Sequence, residues 1–197
     1  MLFTFFKIQN FSQNLNIFYK KLVSSEIDAS MSFIQENNSV SIIFNNSEFG
    51  KCVISQINDQ PFLLINTFDK VKILNVISFF SDTLHVTITP VVISTENFKK
   101  IIKAEYQIIE LEAIIHGPIL EEITISGSDI HDAEFYQLIM EKGEIRKVVV
   151  YLDTIQNLQI GAVIKIFSDG KISIIPEIQV DRVVSIFDKI LKGLEIV

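Results

Sequence analysis

The sequence predicts an α+β fold, a mostly antiparallel sheet with packed amphipathic helices. Three observations carry this reading. Period-2 alternation of apolar residues recurs along most of the 197 residues. Several gaps between the alternating runs are too short for the crossover that parallel pairing needs. A few stretches instead repeat their apolar residues at helical spacing.

The strands come first. Alternation marks Val40–Phe44, Lys51–Ile57, Phe62–Ile65, Leu84–Thr89, Tyr106–Ile115, Ile119–Ile125, Arg146–Leu152, Ala162–Phe167 and Lys171–Ile175. The breaks have turn chemistry. Asn45-Asn46-Ser47 and Asn58-Asp59-Gln60-Pro61 read as turns, and Ser168-Asp169-Gly170 as a hairpin whose Gly170 takes positive φ.

Helices follow from the 3.6-residue period. Phe11, Leu15, Phe18 and Leu22 mark one near the N-terminus, with Asn10 or Ser12 as cap. Shorter helices are expected at 69–80 and 95–103. Another carries Phe135, Leu138 and Ile139, capped by Ser128 or Asp129, with Asp132 and Glu134 in its first turn facing the positive end of the dipole. The clearest amphipathic pattern is Val180, Val183, Val184, Phe187, Ile190, Leu191 and Leu194, backed by charged residues on the opposite face.

Residues 1–80 and 119–197 share the order strand, helix, strands, helix, bridged by 83–118, so two pseudo-symmetric half-repeats within a single globular domain 1–197 are an expectation. Tyr19 and Tyr136 would then correspond. This order is similar in outline to saddle-shaped folds such as that of the TATA-box-binding protein. The likeness is architectural and no motif carries it, so it implies no function.

Composition narrows the class. Hydrophobic residues make up 48% and charged residues 21%, which excludes disorder. Mean hydropathy is +0.37. A value this high implies either a sheet covered on both faces or an apolar surface covered by a partner. No stretch reaches the 18 or so apolar residues of a membrane helix, and the opening Met1–Lys7 lacks the features of a signal peptide. A cytoplasmic location without membrane contact is therefore expected. Cys52 is the only cysteine and is expected to be a small buried hydrophobe.

Charge is divided unevenly. Residues 1–104 carry nine lysines and eight acids, whereas 105–197 carry eight bases and sixteen acids. The excess concentrates in 105–144, where ten acids face the single base Lys142. Glu110, Glu112 and His116 share a parity, hence a strand face. A two-residue turn at Gly117-Pro118, with Gly117 at positive φ, would set Glu112 beside Ile123 and Ile114 beside Glu121. Glu110, Glu112, Glu121 and His116 would then form one acidic cluster on a half-apolar face. Such a cluster reads as a solvated face, as the surface for a cationic partner, or as a divalent-cation or acid–base site. His131 and Asp132, beside Asp129 and Glu134, form a second candidate group where a strand passes into a helix. His85, in an alternating run, is expected to face solvent.

Other chemistries lack their signatures. No Gly-rich phosphate loop and no Gly-x-Ser-x-Gly elbow occur. Nucleic acid is a disfavoured partner, given a pI near 5.0 and only two arginines, Arg146 and Arg182. No cofactor, catalytic residue or metal is expected. The leading expectation is a non-catalytic protein-interaction or scaffold subunit that binds a protein partner or forms a homo-oligomer through an apolar patch with an acidic rim. The alternatives are a metal-dependent hydrolase using the Glu/His cluster and a nucleic-acid or small-ligand saddle.

Overall fold

The computed structural model describes residues 1–10, 31–36, 39–44, 51–57, 60–104, 106–153 and 161–177, together with Val183 and Ile186. The chain is α+β and its described strand pairings are antiparallel. It divides into two compact units. One holds Leu2–Val91 and the segment carrying Val183 and Ile186; the other holds Val92–Ile178.

In the first unit, strands β1 (Leu2–Gln9), β2 (Met31–Glu36), β3 (Ser39–Phe44), β4 (Lys51–Ile57) and β5 (Gln60–Ile65) lie in the order β2-β3-β4-β5-β1. A further strand, β6 (Thr87–Pro90), pairs with β1. Cross-strand register puts Phe6, Leu63, Ile65, Cys52, Ile54 and Ile42 on one face. Helix α1 (Lys70–Leu84) covers that face with Ile73, Val76 and Phe80, spaced three and four residues apart. Asp69 caps α1 by accepting hydrogen bonds from the backbone N–H groups of Val71 (2.9 Å) and Lys72 (3.3 Å). The helix stops where His85 takes a left-handed conformation, φ 55°. Phe5, Val53, Phe62 and Leu64 point to the opposite face and are buried too. Both faces of these central strands are thus withdrawn from water, which accounts for part of the high hydropathy.

In the second unit, β7 (Gln107–Ile115), β8 (Glu121–Ser126), β9 (Gly143–Leu152), β10 (Ala162–Phe167) and β11 (Lys171–Ile175) lie in the order β11-β10-β9-β7-β8. Helix α2 (Thr95–Lys103) packs against β9, burying Phe98, Ile101 and Ile102. Ser94 caps it, Glu96 lies in its first turn, and Lys100 and Lys103 complement its C-terminal dipole. Helix α3 (Tyr136–Lys142) buries Ile139 and packs against β7 and β9. It runs directly into β9 at Gly143, where an added Cβ would lie 2.6 Å from the carbonyl oxygen of Ile139.

Several expectations are corrected. The strand expected at Leu84–Thr89 begins at Thr87, because α1 continues through Leu84. Neither Ser128 nor Asp129 caps α3: Ser128 donates to Asp129 (3.1 Å), and a separate 3-10 turn at Ile130–Asp132 intervenes. Asp132 therefore ends that turn, and no acid occupies the first turn of α3. Phe135 is exposed rather than buried. The turns at Asn45–Ser47 and Asn58-Asp59, the helix marked by Phe11 to Leu22, and most of the pattern from Val180 to Leu194 lie outside the described residues. Val183 and Ile186 are helical and buried.

The half-repeats are not confirmed. In residues 1–80 the first strand, β1, pairs with β5, the last strand of the run that follows it. In 119–197 the first strand, β8, pairs with β7, and the following run joins β7 through its first strand, β9. Element order is shared where described, but strand order is not. Tyr19 lies outside the described residues.

Two variants test the packing by denaturant melts. Phe80→Ala should cost about 3–5 kcal/mol, whereas Leu74→Ala on the exposed face of α1 should stay within about 0.5 kcal/mol. Gly143→Ala should cost about 1–3 kcal/mol, because the obstructing atoms are backbone.

Candidate functional site

Strand β7 positions most of the expected site. Its pairing with β9 carries two irregularities, one between Ile108 and Glu110 and one between Glu112 and Ala113. Ile109 is the extra residue of β7 at the first, and Arg146 that of β9 at the second. Between them Glu110 faces Val149, Leu111 faces Val148, and Glu112 faces Lys147. Leu111, Val148 and Val150 turn inward and are buried. Glu110, Glu112 and Lys147 turn to the other face.

There Lys147 links both carboxylates. Its Nζ lies 2.9 Å from Glu110 Oε1 and also bonds Glu112 Oε2. The lysine side chain is only 17% exposed. Burial alone would lower its proton affinity, but hydrogen bonds and charge from Glu112 and Glu110 outweigh it and hold the ammonium above the ordinary lysine range. The trio is thus an internally compensated bridge with one net negative charge.

At the far end of β7, His116 Nε2 lies 2.8 Å from Glu144 Oε2, and the other oxygen of Glu144 lies 3.0 Å from an Arg146 terminal nitrogen. The loop from β7 to β8 spans residues 116–120, and Gly117 does not take positive φ. The expected two-residue turn is corrected accordingly. The observed register sets Ile114 opposite Glu122 and Ile115 opposite Glu121, one residue from the expected pairing. Since a one-residue slip exchanges faces, Glu121 leaves the face of Glu110 and Glu112, and Glu122 takes it instead. The longer loop leaves Ile119 and Leu120 exposed at its tip, at 74% and 63%. Exposed Glu121 and Glu122 follow them directly.

His131 and Asp132 lie in the 3-10 turn, both exposed. The His131 ring meets Tyr136 edge-on, centroids 4.8 Å apart, and burial pushes the Tyr136 phenol up. The six expected residues therefore separate into a Glu110–Lys147–Glu112 bridge, a His116–Glu144–Arg146 chain, Glu121 on the hairpin, and the His131–Asp132 turn. Sequence reasoning missed Lys147, Glu144 and Arg146. The signal was available: Arg146 and Lys147 are adjacent bases in the strand that follows an acid-rich segment. Among the described residues no group of three or more His, Cys, Asp or Glu is placed to hold a metal ion. Cys52 is buried, which pushes its thiol up. His85 is exposed, as expected, although it ends a helix. No helix among the described residues is long and apolar enough to cross a membrane.

No protein-family model matches the chain, and no curated protein matches its sequence.

Lys147→Met should destabilise the fold at pH 7 by about 1.5–3 kcal/mol, the range for hydrogen bonds to charged groups. Because folding raises the Lys147 pKa, the bridge contributes fully below the unfolded lysine value of about 10.4 and is lost as pH rises through the higher folded value. Urea melts of wild type and variant should converge as pH climbs past that window.

Proposed function

We propose that the protein is a non-catalytic protein-interaction or scaffold subunit of the cytoplasm, acting through the end of the β7–β8 hairpin. The observation that carries this reading is the exposure of Ile119 and Leu120, an apolar tip followed by the exposed carboxylates Glu121 and Glu122. Apolar area at the centre of a contact supplies association energy, roughly 25 cal/mol per Å² before entropy losses. A rim of carboxylates steers and selects a basic partner more than it adds affinity. In sequence, the segment 105–144 that contains the tip carries ten acids against one base.

Metal-dependent hydrolysis is less well supported. Lys147 already neutralises part of the charge of Glu110 and Glu112, and Glu121 projects to the other face. The saddle reading rests on the half-repeats and gains no support from the differing strand orders.

The test is a quantitative pull-down with mass spectrometry, comparing wild type with Ile119→Ser/Leu120→Ser. Both residues are exposed, so the pair should shift stability by no more than about 1 kcal/mol, two surface changes of about 0.5 each. Partner recovery should nevertheless fall at least several-fold. In kinetic measurements on a recovered partner, the association rate should drop as ionic strength rises. Unchanged recovery with the double variant would refute the reading.

A further inference from the structure

Strand β8 ends the sheet order of its unit, and among the described residues no strand lies beyond it. Its hydrogen-bonding phase follows from one bond and the register. The Gly127 N–H donates to the Ile109 carbonyl (3.0 Å), and the pairing continues without a shift from Glu110↔Ser126 to Ile115↔Glu121. Backbone groups of Glu121, Ile123 and Ile125 therefore point towards β7. Those of Glu122, Thr124 and Ser126 point to the open edge, since antiparallel strands alternate the direction of their N–H and C=O groups.

Thr124 is the middle one of these three outward residues. We infer that a second copy of this chain adds to the open edge, β8 against β8, about a two-fold axis at Thr124. The inference rests on the protein-interaction reading but uses the backbone edge of β8, a surface beside the apolar tip and separate from it. In this register Thr124 faces Thr124 of the second copy, Glu122 faces its Ser126, and Ile123 faces its Ile125. Glu121 faces Gly127. No carboxylate meets a carboxylate. Threonine pairs are favourable cross-strand neighbours. Even-numbered residues meet even-numbered ones and odd meet odd, so both faces of the sheet continue across the axis. The contact is isologous and closes at two copies. Open edges invite pairing; β8 carries no proline, and its charged residues Glu121 and Glu122 lie at one end of the strand, opposite Gly127 and Ser126 in this register.

The test uses the full chain. Wild type should sediment as a dimer. Thr124→Pro should sediment as a monomer that still unfolds in one cooperative transition, because the lost N–H points away from β7 and proline is tolerated at an open strand edge. Its midpoint should no longer rise with protein concentration as the wild type's does. Thr124→Cys should form a disulfide-linked dimer on mild oxidation. Directly opposed residues sit about 5.5 Å apart at Cα, within disulfide range. The buried Cys52 supplies no competing thiol. A wild-type monomer at high concentration would overturn the inference. So would a dimer that survives Thr124→Pro and leaves Thr124→Cys uncrosslinked. In either case the Ile119/Leu120 pull-down decides the broader reading separately, since partner loss there would point to a partner other than a second copy, such as an extended basic segment.

Discussion

The half of the chain that carries its acidic excess depends on two compensating irregularities in one strand pair. Strict alternation from buried Ile108 would send Glu110 inward, and strict alternation from buried Ile145 would do the same to Lys147. An unpaired carboxylate or ammonium in an apolar layer costs several kcal/mol or more, so neither arrangement would persist. One extra residue in each strand, Ile109 in β7 and Arg146 in β9, shifts the short stretch between them by one place. The inward positions then belong to Leu111, Val148 and Val150. Both carboxylates and the lysine meet on the outer face, where charge can be both paired and partly hydrated. Because the offsets cancel, the strand ends return to their original register.

The other unit solves the opposite problem. Its central strands have apolar side chains on both faces, so the few polar atoms among them need partners. The Thr4 hydroxyl donates to the Thr67 carbonyl (2.8 Å), and the Gln60 amide donates to the Ile8 carbonyl (2.7 Å). Thr67 in turn accepts from the Asp69 N–H (3.0 Å) through its own hydroxyl. This short relay ties β1 to the start of α1. A cap, a turn and a buried hydroxyl thus join the start of the helix to the sheet.

Much of this was legible from residue order. The bounds of β4, β10, β11 and α2 follow from alternation or helical spacing alone, and Gly170 takes the positive φ that its hairpin demands. The register of β7 with β8 was not legible, because Gly117-Pro118 reads as a tight turn while the chain closes over five residues. Turn length is a tertiary choice here, and one residue of error reverses every face assignment beyond it. The partners of the carboxylates were hidden for a related reason. Alternation describes each strand by itself, whereas a bulge exists only in a pair. Strand order in the sheet is likewise a property of pairing, which is why equal element order did not reveal how β8 and β1 differ.

The direct junction of α3 with β9 has a consequence for how this chain can change length. Most connections in a domain absorb an inserted or deleted residue by reshaping a loop. At Lys142-Gly143 there is no loop to reshape. A residue added here must either advance the helix by about 100°, carrying Ile139 off the sheet, or slide β9 by one place along β7. The second route would set Arg146 in the place of Lys147 and turn Lys147 into the inward place of Val148, burying its charge. Insertions and deletions among related chains should therefore avoid this junction and collect at connections such as the 116–120 loop, whose length sets no buried register downstream of β8.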